Sequence, residues 1–282
     1  GFGIANTFGL LDDRLQLTLG LRRQSVNQYA YNIETGAERQ TYGAWATSPA
    51  VALLYRANDR VSVYGNYIQG LSAGSTAPDL AANAGEVFAP YETKQVEAGI
   101  KIDWGRLAAT FGLFDIRKPN AYTDPVTRIY SVAGEQRNRG IELSTFGELS
   151  RGLRLVGGVS WIDAEMTRTE GGVNQGKRAV AVPDWIAKLG IEYDAAPLPG
   201  LTLSANAIHT GKQYVNAQNT LSVSSWRRYD IGARYAFSHG GRPVTLRANV
   251  YNLFDKAYWL SGNLWNGIGD PRTLMLSMSV DL

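Results

Sequence analysis

The sequence predicts an all-β chain, an antiparallel transmembrane β-barrel with about thirteen strands, short periplasmic turns and long extracellular loops. Three observations predict it. Apolar and polar residues alternate strictly in segment after segment of the 282 residues, and a period of two puts each set on one face of a strand. Short turn signals return roughly every 43–47 residues, the mark of a repeated two-strand unit. No apolar run reaches the roughly 18–20 residues that a spanning helix needs.

The elements follow in order. Strand-like sequence begins at Gly1-Phe2-Gly3-Ile4-Ala5-Asn6 and stops at Asp12-Asp13. Leu15, Leu17, Leu19 and Leu21 then alternate with Gln16, Thr18, Gly20 and Arg22. A polar loop near 33–46 precedes the turn Asn58-Asp59, and a second near 74–91 precedes a new alternation. There Val96, Ala98, Ile100, Ile102 and Trp104 interleave with Gln95, Glu97, Gly99, Lys101 and Asp103, up to Trp104-Gly105. Loops near 121–135 and 169–182 precede the turns Ser150-Arg151-Gly152 and Pro197-Leu198-Pro199-Gly200. After a loop near 217–224, Tyr229, Ile231, Ala233, Tyr235 and Phe237 alternate with Arg228, Asp230, Gly232 and Arg234 as far as His239-Gly240-Gly241. A loop near 260–269 leads to Leu274, Leu276, Met278, Val280 and Leu282. Gly, Asn, Asp and Pro at the short turns supply the backbone angles and side-chain bonds of tight hairpins.

Composition fits this pattern. There are 31 Gly, 15 Tyr and 7 Trp, and Tyr and Trp gather where one end of the ring is apolar and the other wet. With no cysteine, disulfides, zinc–thiolate sites and thiol catalysis are excluded. The net charge of +3 is spread along the chain, which argues against a nucleic-acid stripe. A β-propeller shares the repeat length, but its stacked blades need apolar residues on both faces. Here the second face carries Gln, Glu, Lys, Arg and Asp, as a wet lumen would. In hydrocarbon every backbone polar group must be paired, so the strands must belong to a closed barrel. An odd strand count and a start inside a strand lead us to expect a piece of a larger, even-numbered barrel. No secretory signal is visible at the start.

Three stretches resemble TonB-dependent receptors for ferric siderophores, of the ferrichrome-receptor type. They are Asn249-Val250-Tyr251-Asn252-Leu253-Phe254-Asp255-Lys256-Ala257-Tyr258-Trp259, then Tyr91-Glu92-Thr93-Lys94-Gln95-Val96-Glu97-Ala98-Gly99-Ile100-Lys101, and Asn138-Arg139-Gly140-Ile141-Glu142-Leu143. The resemblance implies a 22-stranded barrel filled by an N-terminal plug. Residues 1–282 would be its C-terminal portion, roughly the last thirteen strands, with the plug absent from this chain. It implies uptake of ferric siderophores across the Gram-negative outer membrane, energised by TonB acting on the missing plug. No cofactor and no catalysis are expected. Outer-membrane lipid and lipopolysaccharide would surround the barrel, and the assembly machinery would read its last strand. Leu282 stands where the family usually ends in Phe or Trp, so a weakened assembly signal is expected. A passive porin or a barrel enzyme is the alternative.

Asn252, Phe254, Asp255 and Tyr258 read first as residues that shape the top of a strand. Glu97, Lys101, Arg139 and Glu142 read as inward-facing charges that pair between strands. A ferric siderophore is a compact, often anionic chelate with apolar flanks, which Arg and Lys attract and Tyr and Trp can cover. Most loop aromatics read as girdle. Tyr122, Arg128, Tyr130 and Trp265 sit deepest in long loops and are the candidate ligand contacts. His209 continues an apolar strand face, and His239 lies in a turn; neither has a Ser/Asp constellation beside it.

Overall fold

The computed structural model describes residues 1–262 and 266–281. The strands are β1 (Phe2–Leu10), β2 (Leu15–Tyr31), β3 (Glu38–Arg56), β4 (Val61–Ser72), β5 (Tyr91–Asp103), β6 (Leu107–Thr123), β7 (Tyr130–Ser150), β8 (Leu153–Arg168), β9 (Trp185–Asp194), β10 (Leu201–Thr210), β11 (Gln213–Tyr214), β12 (Ser222–Val223), β13 (Trp226–His239), β14 (Arg242–Tyr251), β15 (Trp259–Ser261), β16 (Asn266–Ile268) and β17 (Thr273–Val280). Thirteen of them form one sheet in the order β1 to β10, β13, β14, β17, and every pairing whose register is described is antiparallel. The pairs β11–β12 and β15–β16 are small hairpins inside long connections. A single 3-10 turn, Glu170–Gly172, is the one helical element among the described residues, and none is long enough to cross a membrane.

Each expected short turn is present, with its own chemistry. Leu11, Asp12 and Asp13 all take positive φ, a conformation that Asp tolerates better than most residues. Asn58 Oδ1 accepts the Arg60 and Val61 amides at 2.9 Å each. Asp103 Oδ1 accepts the Gly105 amide at 2.6 Å. Gly240 and Gly241 have φ of 59° and 79° between the paired residues His239 and Arg242. Two successive positive φ values define the hairpin turn whose twist matches that of the strands.

The long connections differ from expectation in length. The segment expected as a loop over 33–46 is strand from Glu38, and the one over 121–135 closes in six residues, 124–129, between β6 and β7. The physical reason is that a strand rising out of the membrane meets water on both faces. Its apolar alternation disappears while its ladder continues, so polar composition imitates a loop.

Contacts group the chain into two units. One comprises Gly1–Ile100, Gly112–Gly140 and Asp163–Ala179, the other Lys101–Phe111, Ile141–Ile162 and Val180–Leu282. In the second unit the register lines up an apolar row: Leu155, Ile191, Ala205, Ile231, Val250 and Leu274 are successive cross-strand neighbours. One residue along, Arg154, Glu192, Ser204, Gly232 and Asn249 form a polar row on the opposite face. In the first unit Phe8, Leu17, Leu53 and Gly65 align in the same way. Burial is inverted relative to a water-soluble protein. Leu276 is 70 % exposed and Ile231 42 %, whereas Asp230 is 5 % and Asn252 1 % exposed. An exposed apolar face with a half-buried polar face is stable only where the solvent outside is lipid.

Candidate functional site

In each unit aromatic residues gather where a long connection meets the sheet. In the first unit the 73–90 connection folds onto the sheet. The Tyr42 hydroxyl, almost wholly buried, donates to the Phe88 carbonyl at 2.9 Å. Gly74 has to be glycine, because a Cβ there would press on the Ala89 and Phe88 carbonyls and the Tyr42 hydroxyl. The Ser75 and Tyr91 hydroxyls share a short hydrogen bond. The Asn83 side chain pairs with Tyr130 like a strand neighbour: its Nδ2 donates to the Tyr130 carbonyl at 2.9 Å, and its Oδ1 accepts the Tyr130 amide at 2.8 Å. The Phe88 and Tyr130 rings meet edge to face at 5.5 Å.

The structure brings two of the four expected contacts into this cluster. Tyr130 opens β7 at its centre, half-buried. Arg128, at φ 60°, donates from its guanidinium to the Leu80 carbonyl at 2.6 Å, and its own carbonyl accepts the Ala82 amide at 2.7 Å. Arg128 therefore ties the 124–129 hairpin to the neighbouring loop. Tyr122 lies half-buried near the end of β6, two residues along from Asn120. Trp265 lies outside the described residues. Asp124 closes the hairpin: its Oδ1 accepts the Thr127 amide at 2.7 Å and the Val126 amide at 2.9 Å. These bonds hold its carboxyl below the usual carboxylate range.

A second niche, missed by sequence reasoning, lies in the other unit between residues 215–226 and residues 256–259. It has a volume of about 530 Å³ and is lined by Val215, Leu221, Trp226, Lys256, Tyr258 and Trp259 among others. The Trp226 and Tyr258 rings stack at 4.2 Å. The Tyr258 hydroxyl lies 3.4 Å from the Arg228 guanidinium, which also donates to Asp230 at 3.0 Å. Asp230 Oδ1 in turn accepts the Asn252 amide at 2.8 Å. Asn252 takes a positive φ of 50° and donates through Nδ2 to the Lys256 and Asp270 carbonyls at 3.0 and 2.9 Å, while its Oδ1 accepts the Lys256 amide. Asn252 thus fixes the turn that leaves β14 and leads to Tyr258, in keeping with its reading as a residue that shapes the top of a strand. Trp226 and Trp259 read from the sequence as loop aromatics and Lys256 only as part of the Asn249–Trp259 stretch; what the sequence lacked was the fold-back that joins them.

The strand charges need one correction. Arg139 was expected to face inward with Glu97, Lys101 and Glu142. It instead shares the face of Ile141 and Leu143, two and four residues along β7, and pairs with Asp163 at 3.0 Å. Arg178 reaches the same Asp163 at 3.4 Å, Arg137 Nε donates to Asp115 at 2.9 Å, and Arg168 pairs with Glu135 at 3.3 Å. The outward face of β6 to β8 thus changes from apolar to ion-paired towards the long loops. Four residues share one alternation in β7, and two environments along one strand are invisible to a periodicity of two. Glu97 does lie on the polar face, where Tyr64 and Gln95 donate to it.

The comparisons agree with this geometry. Residues 2–253 match the family described as TonB dependent receptor-like, beta-barrel. The chain is 35 % identical, over its whole length, to the ferrichrome receptor FcuA of Yersinia enterocolitica, of which it covers 38 %. It is 32 % identical over 93 % of its length to the metal-pseudopaline receptor CntO of Pseudomonas aeruginosa, again 38 % of that protein. Among solved structures it resembles BauA, the ferric preacinetobactin receptor from Acinetobacter baumannii, with a TM-score of 0.86 and 47 % identity over 99 % of this chain and 42 % of that one. The chain therefore spans about two fifths of the length of these relatives. It belongs to the TonB-dependent receptor β-barrel family, whose members lie in the Gram-negative outer membrane.

Proposed function

We propose that this chain is the C-terminal share of the barrel of an outer-membrane receptor that binds a ferric siderophore outside and imports it with energy delivered through TonB. The observation that carries the reading is an aromatic cluster beside the long connections within each unit, around Tyr130 and Phe88 in the first and around Trp226 and Tyr258 in the second. Flat rings give a chelate contact area at little entropic cost, and Lys256 beside the second stack supplies positive charge. The similarity to FcuA, CntO and BauA, receptors for ferrichrome, metal-pseudopaline and ferric preacinetobactin, supports the same class of ligand. Tyr122, Tyr130 and Trp265 would touch the ligand, and Arg128 would act by holding the loop that presents Tyr130. A plug domain elsewhere in the full receptor would receive the pull of TonB, and the last strand would engage the assembly machinery. The work is binding, gating and release, with no covalent step; His209 and His239 both stand away from the polar face.

The test is uptake of radioactive iron as a ferric siderophore by cells stripped of their own receptors and given the full receptor. We expect uptake that disappears when TonB is deleted. Uptake that persists without TonB would replace this reading with a passive pore. In the same receptor, joint Arg128→Ala and Tyr130→Ala substitution is expected to weaken chelate binding; unchanged affinity would remove both from the site.

A further inference from the structure

The niche between residues 215–226 and 256–259 is chemically one-sided. Its volume of about 530 Å³ falls within the range of about 300–1,000 Å³ for small-molecule pockets. Part of its lining is aromatic. The Trp226 and Tyr258 rings stack at 4.2 Å with 28° between their planes, and the Trp259 ring, 53 % exposed, shares the same lining. Another part is cationic. Lys256 lines the niche, and among the described residues no carboxylate lines it and none pairs with Lys256.

Hydrogen-bond donors exceed acceptors at this wall. Trp226 Nε1 and Arg228 Nε are buried, and neither has an acceptor among the described residues. The Arg228 charge is neutralised by Asp230 at 3.0 Å. The charge left at the niche is that of Lys256, reinforced by two uncancelled N–H dipoles, so negative charge is attracted there. Ser222, Ser224 and Ser225 add hydroxyls that turn to suit an acceptor. This lining discriminates between two chemistries of iron(III) chelation. Hydroxamates balance the ferric charge and, on aliphatic links, give a neutral chelate with no aromatic ring. Catecholates bring flat rings with paired negative oxygens, and their ferric complexes keep a surplus of negative charge.

Resting on the import reading above, we propose that the niche selects anionic ferric catecholates over neutral hydroxamates and receives one catechol ring of the chelate. The ring lies against Trp226 and Trp259, where offset stacking is favourable. Its metal-bound oxygens face Lys256 and the serine hydroxyls, and the rest of the chelate lies outside the niche. Arg228 is a positioning residue: its guanidinium, 3.4 Å from the Tyr258 hydroxyl, holds that ring in the stack without touching the chelate. Stacking and charge act together here, and an aliphatic, neutral chelate uses neither.

The full receptor in detergent would be dialysed to equilibrium against two chelates of radioactive iron. One is the ferric complex of a synthetic tris-catecholate built on a triamine; the other is ferric desferrioxamine B, an aliphatic tris-hydroxamate. We expect the catecholate to bind more tightly by about tenfold or more. Trp226→Leu and Lys256→Gln should each weaken it about tenfold, the scale of one aromatic or charge-assisted contact. Trp226→Phe should keep most of the affinity. Added salt should weaken catecholate binding to the native receptor, and much less to Lys256→Gln. Lys256 is exposed, so its variant keeps the test decisive if Trp226→Leu disturbs the fold. Equal or tighter binding of ferric desferrioxamine B, or catecholate binding indifferent to both substitutions, would overturn the proposal and leave import standing. Binding of neither chelate would overturn both this assignment and the import reading.

Discussion

Asn252 shows how much one side chain can organise. It is 1 % exposed, adopts a backbone conformation that few residues other than Gly and Asn take, and satisfies three backbone groups at once. Replacing it with Ala leaves two carbonyls and an amide without partners, a cost of about 2–4 kcal/mol. Urea unfolding of the full receptor in detergent should register that loss, and Asn252→Gly should recover only the part due to backbone strain. Asp124 acts through charge. Its folded carboxyl titrates below the ordinary range because the Thr127 and Val126 amides bond the ionised form. Its contribution is therefore complete at neutral pH, and fades as pH falls from the unfolded value of about 3.9 through the lower folded one. Cleavage by an acid-active protease at 124–129 should rise over that window, and Asp124→Ala should show elevated cleavage already at neutral pH. The sequence identified Asn252 as a shaping residue because the motif carries it. It offered nothing on the Asn83–Tyr130 pairing, since a side chain that imitates a strand leaves no periodic trace.

At the scale of elements, the short turns were legible and the long connections were not. A turn such as His239-Gly240-Gly241 is written in three residues whose backbone needs are local. The 252–272 connection instead depends on contacts made at a distance. Gly269 is its clearest case: a Cβ there would fall within the Tyr258 ring, which stacks on Trp226. Gly269→Ala should therefore push Tyr258 off its partner, destabilise the segment by about 1–3 kcal/mol, and lower chelate affinity. Unaltered siderophore titration by this variant would show that the Trp226–Tyr258 stack is not part of the ligand site. Strand ends were misread for a different reason. In β3 and β7 the apolar alternation stops well before the ladder does, because alternation reports the solvent and not the hydrogen bonds.

For the molecule as a whole, the governing fact is that the face of a residue decides its cost more than its type. Ile231 lies in the apolar row with Leu155, Ile191 and Ala205, while Asn206, on the next residue of β10, stands opposite Asp230 on the polar face. Ile231→Arg is expected to destabilise the membrane-inserted receptor by about 2–4 kcal/mol, the figure for a cation near the bilayer midplane. Asn206→Arg, facing Asp230 and water, should stay within about 0.5 kcal/mol. Refolding into lipid vesicles under increasing urea would measure both, and similar losses would mean that the faces are assigned the wrong way round. This division was legible in the sequence from alternation alone, since it depends only on parity. What parity could not reveal was where along each strand lipid gives way to water, the point at which Arg139 and Asp163 replace Ile141 and Trp161.

The strand β7 runs for 21 residues, about 70 Å at roughly 3.4 Å per residue. An apolar band of about 25 Å, crossed at a tilt near 40°, uses only about half of it. The remainder is hydrogen-bonded sheet raised above the cell surface. Antibodies raised against intact cells would thus meet stiff, conformational epitopes on the β2–β3 and β6–β7 hairpins. Their binding should vanish when the antigen is boiled, although every residue they touch belongs to what looks, in the sequence, like flexible polar loop.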